Sequence, residues 1–252
     1  AAKRLEEFVE TSISNYKELR DIPSLSSTSN LSSSFAIGLV TSKQAINQVF
    51  SRSDGTGTGQ FAWVNEIIWR EFYKYITYHY PHVSKGKSFN PKYDLISWRE
   101  DEDSFIKWCD GKTGIPIVDA AMRQLNQTKW MHNRLRMITA MFLSKNLLID
   151  WRKGERYFME NLIDGDFCSN NGGWQWSAST GVDASPYFRI FNPITQSEKF
   201  DPDGKFIKNF VPELIECPSN EIHNPSKETR SSLNYPEMIV DLKSSRLRAI
   251  DA

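Results

Sequence analysis

Apolar residues recur at intervals of three and four along most of this chain, and that spacing limits the possible folds more than any other property of the sequence. The segments that show it are 5–13, 45–50, 61–78, 115–125, 135–148 and 155–162. Such spacing places apolar side chains on one face of an α-helix, whereas the two-residue alternation of a half-buried strand is nearly absent. The sequence therefore predicts an all-α fold.

Local signals at helix ends and between helices agree with this prediction. Thr41 followed by Gln44 predicts a capping box, and Pro81 follows the long helix that begins near Gln60. The segment 55–59 alternates Gly and Thr without the pattern of a phosphate-binding loop, so we assign it to a loop. Beyond residue 201 the chain is rich in Pro, Asn, Ser and charge, and we expect it to wrap the surface of the domain.

Composition narrows the function classes. The formal net charge is 0, so any nucleic-acid site must be a local basic patch. Cys109, Cys168 and Cys217 show no CxxC spacing, which favours a reducing, cytoplasmic setting. No segment approaches the roughly 18 apolar residues of a membrane span, and the chain begins without Met, so we treat it as a fragment. Hydrolase, protease and P-loop motifs are absent, which leaves cofactor chemistry as the enzymatic route.

A local basic patch lies between Asp119 and Asp150. This stretch contains no acidic residue, and its cations are Arg123, Lys129, Arg134, Arg136 and Lys145. A solvated helix face is the simpler explanation. The cations alternate with Trp, Met and Leu instead of with Glu, which favours anion binding beside a ring surface.

The segment 167–182 is uncharged and rich in amides, glycines and indoles, and it follows Asp164-Gly165-Asp166 directly. A loop buried against the core would have a similar composition. We favour close approach to a planar heterocycle, with the two carboxylates hydrogen-bonded to a ribose or a ring edge. His79 and His82 stand without further ligands at metal-site spacing, and no metal is expected.

On the long helix, Trp63, Glu66 and Arg70 share one face, with Trp69 on its flank. An ion pair between Glu66 and Arg70 within the helix is the simpler account and is worth only about 0.2–0.5 kcal/mol. It leaves the neighbouring indoles unexplained, so we interpret this face as part of a binding site.

The runs 130–137, 150–152, 164–166 and 170–176 read WMHNRLRM, DWR, DGD and NNGGWQW. In this order they resemble the class I cyclobutane-dimer photolyases of the photolyase/cryptochrome family, and the resemblance fades only in the last forty or so residues. It implies the helical FAD-binding domain, here as residues 1–252, in one or two helical lobes. The family's N-terminal α/β antenna domain has no counterpart in this sequence, and a folate or deazaflavin chromophore is expected only there.

The resemblance also implies how the cofactor is bound. FAD, active in its reduced form, is expected at Tyr16, Thr28, Ser29, Leu31, Ser32, Trp63, Asp164, Asp166 and Asn170. The hydroxyls near the helix start at Ser32 would bind the pyrophosphate. Asn30 stands where the family pattern has Arg, a difference that weakens the phosphate contact by about 1.5–3 kcal/mol if nothing replaces it. Asn170 matches the position facing flavin N5, where plant cryptochromes usually carry Asp.

Further positions carry over to the substrate and to electron transfer. The expected lesion pocket is Glu66, Trp69, Asn133, Met137 and Trp176, with a flipped dimer resting against the two indoles. The expected DNA contacts are Arg20, Arg70, Arg134, Arg189 and Gln196. The expected electron-transfer chain from the flavin to the surface is Trp174, Trp151 and Trp98.

The function that the resemblance implies is light-driven repair of cyclobutane pyrimidine dimers in damaged DNA by a monomeric lyase that does not bind membranes. Glu66 is expected to hydrogen-bond the base carbonyls as negative charge develops on them. Two alternatives use the same residues. One is a cryptochrome-like blue-light photoreceptor that does not repair, and the other is a DNA-binding module without cofactor.

Overall fold

The computed structural model describes residues 1–52 and 57–252. Within these ranges there are fourteen α-helices and no β-strand, so the predicted all-α fold is confirmed. The helices are α1 Ala2–Thr11, α2 Tyr16–Leu19, α3 Ser32–Ala36, α4 Ser42–Arg52, α5 Thr58–His79, α6 Glu102–Cys109, α7 Pro116–Thr128, α8 Asn133–Met141, α9 Trp151–Asn161, α10 Phe167–Ala178, α11 Pro193–Phe200, α12 Lys205–Phe210, α13 Lys227–Ser232 and α14 Leu242–Asp251. A π-helical turn, Phe142–Asn146, follows α8, and short 3-10 turns lie at Ile13–Asn15, Pro81–Lys85, Pro91–Leu95 and Pro212–Leu214.

Each of the six segments with helical periodicity lies largely on a helix, because one-sided burial selects that spacing. The loop expected at 55–59 is partly wrong. Residues 55 and 56 lie outside the described ranges, but Thr58 and Gly59 form the first turn of α5. A Cβ at Gly59 would collide with the backbone oxygens of Ile13 and Ser14. Glycine there lets α5 pack directly on the turn after α1.

The capping box at the start of α4 is confirmed. The backbone N–H of Gln44 donates to Thr41 Oγ1 at 3.2 Å, and the backbone N–H of Thr41 donates to Gln44 Oε1 at 2.9 Å. Two helix-terminal donors are thereby satisfied. The box fixes where α4 begins on the surface of α5.

Replacing Thr41 with Ala is expected to lower the free energy of unfolding by about 1 kcal/mol, because one of these donors loses its acceptor. Urea denaturation followed by circular dichroism measures the change. Ser51→Ala is the matched control, since the Ser51 hydroxyl only donates to the Gln48 carbonyl near the other end of α4. Equal stability of the two variants would contradict a capping role for Thr41.

The buried side chains form two clusters. The smaller one joins α1, α4 and α5 around Phe8, Val49 and Trp63. The larger one contains α7, α8 and α10, and Trp108, Trp151 and Trp174 are its largest fully or nearly fully buried side chains. Helices α5 and α10 are in contact, as are α8 and α10. The two clusters therefore meet where α5, α8 and α10 converge.

The region after residue 201, for which the sequence predicts surface wrapping, also enters the larger cluster. Phe206, Ile207, Val211 and Leu214 are all buried there, and α12 packs on α7. Asp201 caps this segment by accepting hydrogen bonds from the backbone N–H groups of Phe206 and Ile207. Apolar patches too short to show periodicity thus become core when they pack against an already apolar helix.

The segment 167–182, whose composition also fits a buried loop, is mainly helix α10. Asp166 caps it, with Oδ1 accepting from the Ser169 backbone N–H at 3.0 Å and from the Ser169 hydroxyl at 2.8 Å. Gly172 is required by close packing, because a Cβ there would overlap the Tyr73 ring on α5. Burial on more than one side removes the one-sided apolar pattern by which helices are recognised in sequence.

None of the helices within 1–52 and 57–252 is long and apolar enough to cross a membrane. The same residues contain no group of three or more His, Cys, Asp or Glu side chains arranged to hold a metal ion.

Candidate functional site

A cavity of about 310 Å³ lies where the two clusters meet. Its walls come from α5, α8 and α10, with contributions from α2, the start of α3 and the segment before α10. Twelve of the residues expected in the site line it: Tyr16, Ser29, Ser32, Trp63, Glu66, Arg70, Asn133, Met137, Asp164, Asp166, Asn170 and Trp174. The volume lies at the lower end of the range typical of small-molecule and cofactor sites.

The predicted face of α5 points into the cavity, but its charges pair differently from the simplest expectation. Arg70 pairs with Asp166 at 3.1 Å and donates to the Phe35 carbonyl at 3.1 Å, while Glu66 pairs with Arg20. Each charged group thus has a partner on another element instead of on its own helix. These contacts fix the orientation of both side chains at the cavity wall.

Asp164 and Asp166 are both held in fixed positions. Arg136 donates through Nη2 to both carboxylate oxygens of Asp164, at 3.0 and 2.8 Å, and through Nε to the Met131 carbonyl. Burial alone would raise the pKa of Asp166, but the hydrogen bonds from Ser169 and the charge of Arg70 outweigh it and lower that pKa. Asp166 is therefore ionised at neutral pH, which suits a hydrogen-bond acceptor and not a general acid.

The amide of Asn170 has a defined orientation. Its Nδ2 donates to the Glu155 backbone carbonyl at 2.9 Å, which leaves the carbonyl end of the amide for a donor in the cavity. The next residue, Asn171, donates to the Glu155 carboxylate at 3.1 Å. Burial raises the pKa of Glu155. Asn170 thus presents a neutral acceptor to whatever occupies the cavity.

His132 positions the start of α8, which forms one wall of the cavity. It caps α8, and its Nδ1 accepts a hydrogen bond from the Arg134 backbone N–H at 3.2 Å. The side chain is only 2% exposed, and burial, opposed in part by Asp21, lowers its pKa to about 4. Asn133, Arg136 and Met137 on the first turns of α8 all line the cavity. A neutral His132 therefore sets the start of the helix that carries them.

Stability is expected to fall between pH 6.5 and pH 4 in part because of His132. Its folded pKa of about 4 lies below the ordinary value of 6.5, so in this window the unfolded chain binds the extra proton. The contribution is complete well above pH 6.5 and is lost as the pH falls, by about 2 kcal/mol at pH 5. His132→Asn keeps a capping acceptor without a titrating ring and should show a weaker pH dependence in urea denaturation at several pH values. Parallel profiles would contradict this assignment.

Several expected DNA and lesion contacts do not line the cavity. Arg134 pairs with Asp21 and lies over the Phe200 ring, and Arg189 is exposed. Trp69 is 37% exposed on the outer side of α5. Trp176 lines a separate small recess together with Tyr73, so the structure does not bring it into the main cavity. Gln196 is half-buried on α11.

Of the remaining cofactor and electron-transfer residues, Thr28, Leu31, Trp98 and Trp151 do not line the cavity. Leu31 is buried in the smaller cluster, and the Thr28 hydroxyl donates to Asn30 Oδ1 at 3.1 Å. Trp151 is fully buried, and Trp98 packs on the larger cluster. The Trp174 ring lies 5.0 Å from Phe158 and 6.1 Å from Trp108 between centroids. A Trp174–Trp151–Trp98 chain therefore stays a prediction.

Ten residues that line the cavity were not expected there. They are Phe35, Ile67, Arg136, Ala140, Phe158, Leu162, Gly165, Ser169, Gly173 and Ser177. Arg136 could have been predicted from the sequence, since it belongs to the predicted basic patch and lies one helical turn after His132. The apolar members could not, because a wall residue and a core residue follow the same periodicity.

The side of α10 that lines the cavity leaves space for a flat ring. A Cβ at Gly173 would meet nothing within 4 Å, although the residue lines the cavity. Trp174 Nε1 is buried without a hydrogen-bond partner at the same wall. Together with the ionised Asp166 and the acceptor end of Asn170, this donor and acceptor set fits a planar, polar-edged group such as a flavin.

Comparison with known proteins gives consistent matches. The family described as the FAD binding domain of DNA photolyase matches residues 63–252. The deoxyribodipyrimidine photo-lyase of Escherichia coli is 49% identical over 100% of this chain and 54% of its own length. A bacterial class III photolyase from Agrobacterium tumefaciens superposes with a TM-score of 0.93 at 43% identity, covering 99% of this chain and 54% of that one. A Synechocystis cryptochrome superposes with a TM-score of 0.89 at 31% identity, with coverages of 99% and 54%. The chain thus spans about half the length of the relatives it matches.

Proposed function

The chain belongs to the DNA photolyase family through its FAD-binding domain, and from this membership we propose that it acts in the light-driven repair of cyclobutane pyrimidine dimers in DNA. The observation that carries the proposal is the cavity, which combines the acceptor amide of Asn170, the Arg136–Asp164 pair and the carboxylate of Glu66 on facing walls. Flavin binding explains the Asn170 amide and the Arg136–Asp164 pair. Substrate binding explains the Glu66 carboxylate.

FAD would be held by the predicted residues that line the cavity, together with Arg136. The start of α3 supplies the Ser32 hydroxyl, and Asp164 and Asp166 supply acceptors that their partners keep in place. Thr28 and Leu31 lie on the same segment as Ser29 and would support it through the backbone. Asn30 carries no charge, so the phosphates would depend on these hydroxyls and backbone groups.

Bound in its reduced form and excited by light, FAD would supply the electron-transfer chemistry for opening the cyclobutane ring. The protein provides the surroundings for that transfer. The carbonyl end of Asn170 is an acceptor that suits the N–H group of a reduced flavin ring. Buried apolar residues such as Ile67 and Phe158 keep water away from the same region.

Damaged DNA would approach the cavity at Glu66 on α5 and at the first turns of α8. Asn133 and Met137 line the cavity together with Glu66, so a flipped dimer inside it would contact all three. Trp69, three residues after Glu66 on α5 and 37% exposed, would contact the dimer from outside the cavity. Arg20, Arg134 and Arg189 would contact phosphates, which supply affinity without reading sequence. Trp176 would take part only where the lesion extends beyond the main cavity.

A cryptochrome-like photoreceptor is the second candidate, because the Synechocystis cryptochrome shares the fold at 31% identity. The higher identity to photo-lyases and the neutral Asn170 amide favour repair. We further propose that the protein is a monomer that acts in the cytoplasm. Sedimentation velocity and fractionation of cells that express it test these two points.

The test of the proposed function has two stages. Purified protein, supplied with FAD and reduced, is first examined by visible absorption for a stoichiometric flavin. It is then illuminated with blue light in the presence of an oligonucleotide that contains one thymine dimer. Restored thymines, measured by chromatography, support repair. A flavin-loaded protein that binds the oligonucleotide without restoring it would indicate the photoreceptor, and a protein that takes up no flavin would exclude both.

A further inference from the structure

Four charged side chains form a continuous network beside the cavity. Arg134 binds Asp21 through two contacts, Nη2–Oδ2 at 2.7 Å and Nε–Oδ1 at 3.3 Å. Arg20 Nε lies 3.9 Å from the same Asp21 Oδ1 atom. Arg20 also forms an ion pair with Glu66. Asp21 thus forms ion pairs with both guanidinium groups.

The network is partly exposed on the surface that surrounds the cavity. The side chains of Arg20 and Arg134 are 23% and 17% exposed, and that of Asp21 is 30% exposed. The guanidinium groups are further held by rings, Arg20 over Tyr16 at 5.4 Å and Arg134 over Phe200 at 4.4 Å. They are therefore fixed in place and still within reach of a ligand.

The charges of the network cancel. Two guanidinium groups carry +2 and the carboxylates of Asp21 and Glu66 carry −2, so this part of the surface offers a phosphate little net attraction. A phosphate that approaches Arg20 or Arg134 also meets the Asp21 carboxylate within a few ångströms. Like charges at such distances in water oppose each other by about 1 kcal/mol.

We propose that Asp21 is a specificity-determining residue that lowers the affinity of this surface for undamaged DNA by neutralising Arg20 and Arg134 in the free protein. This inference rests on the proposed function, since it assumes that DNA phosphates reach the two arginines. Undamaged duplex is bound through its phosphates alone and therefore meets the full opposition of the carboxylate. A dimer that engages Glu66 in the cavity releases Arg20 from one of its two partners and so opens the network to a phosphate.

The test measures binding of a short undamaged duplex by fluorescence anisotropy across a series of KCl concentrations. Asp21→Asn keeps a hydrogen-bond acceptor for Arg134 and removes the charge. It is expected to bind about 5-fold more tightly at the lowest salt, the ratio that corresponds to about 1 kcal/mol. The slope of log K against log[salt] is expected to be steeper by up to about 0.9, the value for one further phosphate contact.

Two controls separate a local effect from a general one. Asp103→Asn changes the net charge equally but removes a partner of Lys107 on α6, and it should bind DNA as the unchanged protein does. Asp21→Glu retains the charge and should restore weak binding. Should Asp21→Asn lose its helical circular dichroism or its flavin, Asp21→Ser replaces it in the same comparison.

The outcomes of this experiment and of the repair assay are distinct. Unchanged or weaker duplex binding by a folded, flavin-loaded Asp21→Asn variant overturns the inference while leaving the proposed function intact. Failure of the unchanged protein to bind any duplex at low salt removes the DNA-binding step of the proposed function itself.

Discussion

Replacing Gly173 with Leu is expected to abolish flavin retention while leaving the helical fold intact. Gly173 lies on α10 at the cavity wall, and a Cβ placed there meets no atom within 4 Å. The Cβ of a leucine would therefore displace no protein atom, and we expect the rest of its side chain to extend into the cavity of about 310 Å³. Leu also has the higher helix propensity, by up to about 1 kcal/mol. Visible absorption of the purified variant measures flavin content, and urea denaturation measures stability.

The adjacent glycine provides a matched control. A Cβ at Gly172 would overlap the Tyr73 ring on α5, so Gly172→Ala is expected to lower the free energy of unfolding by disturbing the contact between α10 and α5. The two variants should thus separate loss of cofactor from loss of stability. A Gly173→Leu protein with a full complement of flavin would show that the cofactor binds elsewhere.

Replacing Glu66 with Gln is expected to lower the yield of repair per absorbed photon by roughly 10-fold. A charged hydrogen bond is worth about 1.5–3 kcal/mol and a neutral one about 0.5–1.5, so the lost difference approaches one power of ten in rate. Glu66 lines the cavity, where Arg20 holds it in the free protein. The measurement is dimer repair under saturating oligonucleotide with counted photons.

Glu71→Gln is the control for this variant. Glu71 lies on the same helix but pairs with Ser42 and Lys74 away from the cavity, so its replacement should leave the repair yield unchanged. Binding of the dimer-containing oligonucleotide should weaken only modestly in Glu66→Gln. An unaltered yield at equal flavin content would remove Glu66 from the reaction.

The helices most clearly predicted from sequence are those with a single apolar face. Helix α5 shows how far this reaches, because the i, i+3, i+7 spacing of Trp63, Glu66 and Arg70 places them on one face without reference to the rest of the chain. The capping box of Thr41 and Gln44 is similarly local. Helix α10 could not be predicted in this way, since it is buried on more than one side and has no continuous polar face that would reveal the helical spacing.

The sequence could not predict which charged side chains form ion pairs with one another. The intrahelical partner of Glu66 is four residues away, but its actual partner Arg20 is 46 residues away, and Arg134 and Asp21 are 113 residues apart. Which of several nearby ions pair depends on how α2, α5 and α8 are stacked. Spacing along the chain says nothing about that stacking.

The sequence by itself determined that this chain is helical, where most of its helices lie, and, through its ordered run of family residues, that it belongs to an FAD-binding family. Only the tertiary structure decided which of those residues share one cavity, that Trp176 lies outside it, that Arg136 and Gly173 line it, and that Asp21 joins Arg20 to Arg134. The reason is physical. Periodicity and caps are set by neighbours within one or two helical turns, whereas a cavity and its ion pairs arise from helices that are distant in the chain and meet only on packing.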